Sequence, residues 1–383
     1  MKLPYQQPEQ RYGKKLARYA GFFRSIALEI DASPDRIYRY CEHPAIKRIV
    51  TDKNSTAYER TCYLEAYAYG DPGVMLACPG PSLSGLMIRE LGREDQVKNF
   101  YHYLHEHNAR TFFALTEPEK GSDAGKLQCS LIPDLKTGQY LLSGHKCLFG
   151  NGAKGHLGVI LARTNPGPLG IRAVLITPEL LDEKKGWIFR ETLPMVGLRG
   201  AQIAYMRFEN CPITSENLLG EHLSPMQRGM MSVIKTFNRL RTGVGALAIG
   251  QAQAVLDYVY ENRHTLSDSA IEAYRNMYYQ VDLMRKLLRN AAEKVDSSPF
   301  ESFDISLAKI EATKTAEVVI SRSIDLLKPA DVLDNPWLAK CYRDSFAWEY
   351  MEGTRNMQLK NIFHDFQLTQ MGTQADPVKI KAA

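Results

Sequence analysis

The chain has 383 residues, of which 44% are hydrophobic and 24% charged, and its formal net charge is +5. This length can hold two or three domains around a sizeable core, and the composition is typical of a soluble protein. No apolar run is long enough to cross a bilayer, and the mild basicity comes without a basic-aromatic module, which argues against nucleic-acid binding.

Residues 1–110 have the apolar periodicity of helices. The predicted helices cover 11–30, 56–69 and 82–91. The second is expected to stop at the sequence GDPG, residues 70–73, because glycine and proline interrupt helices.

Residues 111–220 change to short apolar runs bounded by Gly, Pro and Asn, which predict strands, most clearly at 158–161 and 173–176. After residue 220 the helical pattern returns, with predicted helices at 226–262, 270–296, 305–327 and 337–366. This order of elements indicates an α+β fold class. We expect three domains, at 1–110, 111–220 and 221–383.

Seven cysteines at irregular spacings, with no C-x-x-C pair, indicate reduced thiols and no metal framework. The first residues lack the apolar segment of a signal peptide, so we expect a cytoplasmic protein. His102, His105 and His107 lie close together in the sequence, and His102 and His105 could share a helix face, but no second ligand pair follows them. A solvated helix face is the interpretation that we prefer, and no metal site is predicted.

Two segments far apart in the chain carry side chains suited to chemistry. One is TEPEKGSD, residues 116–123, in the strand-rich region, and the other is EGT, residues 352–354, in the last helical region. Gly121 would let the backbone approach a ligand closely, and Glu352 offers a carboxylate. Each segment alone could be an ordinary turn or a surface carboxylate.

Taken together and in order, the two segments resemble the acyl-CoA dehydrogenase family. The resemblance extends to GHKCLFGNG at 144–152, GLRG at 197–200, Arg241 and the Arg343-Asp344 pair, and it spans roughly residues 80 to 365. It implies an N-terminal helical domain, a middle β-sheet or barrel domain and a C-terminal bundle of four long helices.

The resemblance also implies a reaction, the α,β-dehydrogenation of an acyl thioester with FAD as hydride acceptor. Glu352 matches the catalytic base, which takes the α-proton and needs a dry pocket that moves its pKa toward neutral pH. A second base position known in the family is Leu240 here, so Glu352 has no rival there.

The remaining site residues are implied by position in the same resemblance. The cofactor-binding positions are Leu115, Thr116, Gly121, Ser122, Phe149, Gly150, Asn151, Arg263, Lys328, Thr354 and Asn356. The substrate-binding positions are Ser122, Asn238, Arg241 and Gly353. An ordinary salt-bridged helix arginine is an equally good interpretation of Arg241.

The sequence departs from the family pattern at two cofactor segments. Residues 148–150 read Leu-Phe-Gly, so the hydroxyl expected near the flavin ring is absent. Lys328 and Pro329 stand where the family has glycines that approach the ADP half of FAD. We therefore predict an altered ADP site in which Lys328 could supply charge to a phosphate.

The resemblance implies several partners. The acyl group is expected on CoA or on a carrier protein, and the electron acceptor would be an electron-transfer flavoprotein or oxygen. Arg263 resembles a residue that acts across a subunit boundary, which implies a homodimer or homotetramer.

Two alternatives stay open at this point. One is a flavin-dependent oxygenase on the same fold, which the retained Glu352 opposes. The other is a non-redox relative that has lost the flavin, which Lys328 and Pro329 favour while Thr116 and Ser122 oppose it.

Overall fold

The computed structural model describes residues 3–121, 124–262 and 266–374. The N-terminal region is helical, as the periodicity predicts. Its helices are α1 Pro8–Tyr12, α2 Lys14–Ala32, α3 Pro44–Val50, α4 Ala57–Gly70, α5 Pro72–Ala77, α6 Ser82–Leu91 and α7 Glu94–His107.

Local chemistry sets the ends of these helices. The single helix predicted at 11–30 is wrong in its start, because Gly13 adopts a φ of 79° and separates α1 from α2. Helix α4 begins with a capping box between Thr56 and Glu59. It ends where predicted, and Asp71 then caps α5 by accepting a hydrogen bond from the Val74 N–H.

The middle region is a sheet built from seven strands in the described part of the chain. The strands are β1 Thr111–Ala114, β2 Ser130–Asp134, β3 Gln139–Phe149, β4 Leu157–Arg163, β5 Ile171–Ile176, β6 Ile188–Thr192 and β7 Ala204–Ile213. The order is β1-β4-β2-β3-β7-β6, with β5 paired to β4. Strands β1 and β4 are parallel, whereas β3 pairs antiparallel with both β2 and β7. A separate apolar cluster fills the concave interior of this region.

The C-terminal region returns to helices. These are α8 Met230–Asn262, α9 Asp268–Ser297, α10 Phe303–Ile324, α11 Pro329–Leu333, α12 Pro336–Ser345 and α13 Arg355–Gln374. The long helices α8, α9 and α10 pack on one another, and α13 packs on α10.

The helix predicted at 337–366 is wrong as one continuous element. Helix α12 ends at Ser345, a 3₁₀ turn follows at Trp348–Tyr350, and α13 begins only at Arg355. The interruption places residues 351–354 in a loop, and that loop contains Glu352.

Helix α8 joins the three regions. It packs against α4 so closely that a Cβ on Gly250 would lie 2.2 Å from the Glu65 carbonyl oxygen, so only glycine fits there. At the sheet, Phe237 of α8 meets Phe113 of β1 edge to face, with ring centroids 5.6 Å apart. No helix within residues 3–121, 124–262 and 266–374 has the length and hydropathy that a membrane crossing requires.

Candidate active site

Glu352 lies in the loop between the 3₁₀ turn and α13, in an unusual backbone conformation. Its φ is 53° and that of Gly353 is 97°, so two successive residues occupy the left-handed half of conformational space. A glutamate there is strained unless its surroundings hold it, and such strain is concentrated at functional sites. A Cβ on Gly353 would lie 2.6 Å from Gln358 Nε2, so a larger residue does not fit.

Buried donors hold the carbonyl oxygens of this loop. Arg241 Nε donates to the Glu352 oxygen at 3.3 Å, and Gln358 Nε2 donates to the Glu352 and Gly353 oxygens at 3.0 and 3.1 Å. The Lys309 ammonium donates to the Gly353 oxygen at 3.0 Å. The strained conformation is therefore fixed from helices α8, α10 and α13 together.

The Glu352 carboxyl itself is left unpaired by these contacts. Its Oε2 atom is buried and, among the described residues, has no hydrogen-bond partner. Burial raises the pKa of Glu352 to about 7, while the positive charges of Arg241 and Lys309 oppose that rise. A carboxylate whose pKa lies near working pH and whose oxygen is free to accept a proton is suited to general-base chemistry.

The two cations near Glu352 respond to the same dry environment. Desolvation lowers the pKa of Arg241 to about 10, with the Glu352 charge acting in the opposite direction. Desolvation and the Arg241 charge lower the pKa of Lys309 to about 8. The site therefore contains three ionisable groups that influence one another, with a net positive field at the carboxyl.

Asn238 is fully buried one turn before Arg241 on α8. Its Oδ1 accepts from Arg241 Nη1 at 2.6 Å, and its Nδ2 donates to the Pro299 oxygen at 3.0 Å and to Ser302 Oγ at 3.2 Å. These contacts orient the guanidinium toward the Glu352 loop. The predicted substrate-binding roles of Asn238 and Arg241 stay predictions.

The segment after β1 is tied to β3 by a buried ion pair. Lys146 Nζ donates to Glu117 Oε1 at 2.8 Å and to the Leu115 oxygen at 2.9 Å, and the Cys147 N–H donates to the Thr116 oxygen at 2.9 Å. Leu115 and Thr116 are half-buried. Gly121 lies close to Thr116, because a Cβ on it would lie 3.8 Å from Thr116 Cγ2.

The second predicted cofactor segment turns sharply at the end of β3. Phe149 points into the sheet core, whereas Leu148, with a φ of 58°, exposes 64% of its surface. Asn151 has a φ of 61°, and its N–H donates to the Ala201 oxygen at 2.9 Å. Asn151 Oδ1 is buried and lacks a hydrogen-bond partner among the described residues.

These features suit the isoalloxazine end of a flavin. Leu148 presents an apolar side chain beside Gly150, where a Cβ would lie 3.3 Å from the Ala201 oxygen, and the Asn151 Oδ1 is an acceptor available to a ring N–H. The Phe149 side chain packs in the sheet core, and its predicted cofactor contact stays a prediction.

The structure connects the two halves of the site through packing. Thr116 is the second residue after β1, and β1 contacts α8 through the Phe113–Phe237 pair. One turn further along α8, Arg241 binds the Glu352 loop. The segments that the sequence resemblance joined are therefore connected through β1 and α8.

The structure does not connect the other predicted positions with these segments through contacts of this kind. Lys328 is exposed at the start of α11, where its N–H donates to Asp331 Oδ2 at 3.2 Å. Thr354 is half-buried before α13, and Asn356 is exposed on α13. Ser122 and Arg263 lie outside the described residues.

Sequence reasoning missed the buried charges that support the site, namely Lys146, Glu117 and Lys309. A signal did exist for Lys309. It lies at helical spacing with Ile305, Ala312 and Ala316, so the periodicity puts a lysine on the buried face of α10. A charge on an apolar face requires polar partners, which points toward a site.

Comparison with known proteins identifies the family. The model of the acyl-CoA dehydrogenase middle domain matches residues 112–211, and the model of the acyl-CoA dehydrogenase C-terminal domain matches residues 227–365. The chain belongs to the acyl-CoA dehydrogenase family. The family predicted from the sequence is confirmed.

Two curated relatives lie within this family. The chain is 28% identical over 281 residues to an acryloyl-CoA reductase (NADH) from Anaerotignum propionicum, covering 70% of this chain and 68% of the relative. It is 27% identical over 300 residues to a subunit of the caffeyl-CoA reductase-Etf complex from Acetobacterium woodii, covering 76% of each.

A solved structure supports the fold. A glutaryl-CoA dehydrogenase from Mycobacterium smegmatis, in complex with FADH2, aligns with a TM-score of 0.78 at 18% identity and covers 94% of this chain and 95% of that one. The predicted α+β architecture of N-terminal helices, middle sheet and C-terminal helical domain is confirmed.

The raised pKa of Glu352 predicts a pH dependence of stability. The folded state holds a proton that the unfolded chain, with a pKa of 4.5, has already released, so stability falls as pH rises from 4.5 to about 7. Glu352→Gln removes this effect. We expect the variant to gain up to roughly 3 kcal/mol over the wild type by pH 8, at about 1.4 kcal/mol per pKa unit.

Urea unfolding of both proteins from pH 4.5 to 8 measures this gain. Glu272→Gln, at an exposed position on α9, is the control and should run parallel to the wild type. A constant difference between wild type and Glu352→Gln across the whole range would contradict the raised pKa.

Proposed function

We propose that this protein catalyses the α,β-dehydrogenation of an acyl thioester, with Glu352 as the base that takes the α-proton. Membership of the family gives the enzyme class, which is an oxidoreductase acting on CH–CH groups. It also gives FAD as the cofactor. The observation behind the base assignment is the Glu352 carboxyl, with a buried, unpartnered Oε2 and a pKa of about 7.

Residues on two loops would hold the flavin. We assign the ring end to Thr116, Gly150 and Asn151, with Leu148 against it, because the Asn151 Oδ1 and the tight turn at Gly150 suit a planar, hydrogen-bonding ring. When bound, FAD supplies the hydride acceptor that no side chain can provide.

The work of the chain itself is proton transfer and positioning. The α C–H bond of the thioester breaks, and its proton passes to Glu352 Oε2, which no hydrogen bond from the described residues occupies. Arg241, Lys309 and Gln358 hold the loop, so that the carboxylate meets the substrate without reorganisation. Burial of the Oε2 atom keeps water away from the oxygen that accepts the proton.

The reverse reaction, reduction of an α,β-unsaturated acyl thioester, is a second candidate. Two relatives are named as reductases, which favours this direction: one is an acryloyl-CoA reductase, and the other is a subunit of a caffeyl-CoA reductase-Etf complex. Glu352 would then deliver the α-proton instead of taking it. An electron-transfer flavoprotein is the electron partner that we propose, because the second of these relatives works in such a complex.

An apolar face of α13 supports assembly. Leu359, Phe363 and Phe366 share one side of the helix and expose 46%, 60% and 52% of their surfaces. We propose that a second copy covers this face in a homodimer or homotetramer.

We also propose that the protein works in a reducing compartment. All seven cysteines are free thiols in the structure, six of them buried. This supports the cytoplasmic location expected from the sequence.

Anaerobic flavin bleaching tests the function. The purified protein should be yellow, with FAD near one per chain, and at least one saturated acyl-CoA of short, medium or long chain should bleach it with formation of the 2-enoyl-CoA. The same acyl groups on a phosphopantetheinyl carrier protein separate CoA from carrier recognition. A colourless protein that FAD cannot reconstitute would rule out the proposal.

The direction of the reaction follows from a paired measurement. Reoxidation of the reduced flavin by 2-enoyl-CoA is compared with bleaching of the oxidised flavin by the saturated thioester. Faster reoxidation would favour the reductase, and faster bleaching the dehydrogenase.

Lys328→Ala tests the altered ADP site. If the exposed Lys328 side chain holds a phosphate of FAD, the variant should lose FAD on gel filtration, and the wild type should retain less FAD at high salt than at low salt. FAD absorbance per chain is measured for both proteins at both salt concentrations. Equal retention in all four runs would contradict the assignment.

A further inference from the structure

Lys309 is a fully buried lysine on α10 that binds both flanks of Glu352. Its Nζ donates to the Glu349 oxygen at 2.6 Å and to the Gly353 oxygen at 3.0 Å. One carbonyl precedes Glu352 by three residues and the other follows it directly. A single ammonium group therefore closes the turn that carries the base.

Lys309 forms no salt bridge with a carboxylate of the described residues, although Glu352 and Glu349 lie near enough for their charges to act on it. Within residues 3–121, 124–262 and 266–374, its ammonium makes hydrogen bonds only to carbonyl oxygens, in contrast to the buried Lys146 and Lys340, which are both ion-paired. Burying an unpaired cation is costly. A neutral amide can bind two carbonyl oxygens of this loop at lower cost, as Gln358 does at Glu352 and Gly353. The cost points to a use for the charge itself.

The positive charge of Lys309 acts on the Glu352 carboxyl. Helix α8 presents Arg241, α10 presents Lys309, and α13 presents the neutral amide of Gln358. Glu349 of the 3₁₀ turn is exposed, and its negative charge acts to raise the pKa of Lys309. Arg241 and Lys309 are thus the two charges that favour the carboxylate form against its burial.

We propose that Lys309 is a positioning residue for proton transfer: it clamps the Glu352 loop in its left-handed conformation and keeps the carboxylate available as a base. The proposal rests on the proposed function for its kinetic test. Arg241 shares the electrostatic part of the task, but it holds only the Glu352 carbonyl. Lys309 alone joins Glu349 to Gly353 among the described contacts.

The test compares Lys309→Met, which removes charge and donors, with Lys309→Arg, which keeps both. The control is Lys314→Met, an exposed lysine on the same helix. The first readout is the rate of flavin reduction by the best acyl-CoA as a function of pH. In Lys309→Met the acid limb should move to higher pH by roughly one unit, because a neighbouring opposite charge lowers a carboxyl pKa by about that much or more.

At pH 7 the same variant should lose roughly fivefold in rate, because a shift of the acid limb from about 7 to about 8 lowers the ionised fraction of Glu352 from about one half to about one tenth. Lys309→Arg should keep the acid limb of the wild type. If Lys309→Met does not fold, Lys309→Gln takes its place, since it keeps a donor while removing the charge. An unshifted acid limb in the neutral variant would overturn the proposal, even if the yield of folded protein fell.

A second readout does not need catalysis. The difference in unfolding free energy between each protein and its Glu352→Gln derivative is measured against pH. In wild type the gap should stop widening near pH 7. In Lys309→Met the difference in unfolding free energy should keep increasing above pH 7, because Glu352 then keeps its proton to a higher pH in the folded state. If no acyl-CoA bleaches the wild type, the proposed function fails, and this second readout still decides the role of Lys309.

Discussion

Glu352→Gln is expected to lower the rate of flavin reduction by an acyl-CoA by at least roughly 10²–10⁴-fold, the range typical for loss of a general base. The amide has nearly the shape of the carboxyl, so the loop held by Arg241, Lys309 and Gln358 should keep its conformation. It cannot accept the α-proton. FAD should remain bound in the variant, because the cofactor contacts are assigned to other loops.

Single-turnover mixing without oxygen measures this loss, with the flavin absorbance followed over time. Glu272→Gln, on the surface of α9, controls for the substitution itself and should reduce its flavin at the wild-type rate. Normal FAD content together with wild-type bleaching in Glu352→Gln would move the base to another residue. Loss of FAD from the variant would instead show that the loop supports cofactor binding.

Most of the fold could be predicted from apolar periodicity, because long elements carry that signal along their whole length. The helix predicted at 82–91 is α6 without change, and the strand predicted at 173–176 lies within β5. The exception at 337–366 is instructive. The residues between α12 and α13 keep a helix-like pattern, but the left-handed backbone at Glu352 and Gly353 depends on donors from α8 and α10. Contacts between distant helices leave no local signal.

The site could be predicted in part for the same reason. Motif resemblance drew attention to Glu352, Thr116 and Asn151, because their residue types and spacing are local, and their roles stay predictions. It did not locate Lys309 or the Lys146–Glu117 pair, whose meaning depends on which carbonyl or carboxylate the fold brings beside them. Phe149 was assigned to the flavin by position alone; its side chain lies in the sheet core, and a cofactor contact of this residue stays a prediction.

A second buried lysine, Lys340, joins several elements of the fold. Lys340 Nζ lies 2.7 Å from Asp71 Oδ2 and 2.6 Å from Asp344 Oδ2, and all three side chains are fully buried. Asp344 also accepts from the Leu198 N–H at 2.6 Å and from Gln251 Nε2 at 3.1 Å. The cluster therefore joins α5, α8, α12 and the turn before β7.

Lys340→Met is expected to lower the free energy of unfolding by roughly 3–5 kcal/mol, because removing one partner of a buried ion pair leaves the other charges uncompensated. Here two carboxylates would remain. Burial already raises the pKa of Asp344, and the Lys340 charge restrains that rise. Without the lysine the pKa of Asp344 would rise further, so the destabilisation should shrink as pH falls.

Denaturant unfolding at pH 5 and pH 8 measures the loss and its pH dependence. Lys314→Met, which is exposed, should change stability by no more than about 0.5 kcal/mol. The triple variant Lys340→Met, Asp71→Asn, Asp344→Asn should recover much of the loss. Its amides can still accept from the Val74 and Leu198 N–H groups, and no charge remains buried. A loss below about 1 kcal/mol in Lys340→Met, equal at both pH values, would contradict the prediction that the buried ion pairs of Lys340 stabilise the fold.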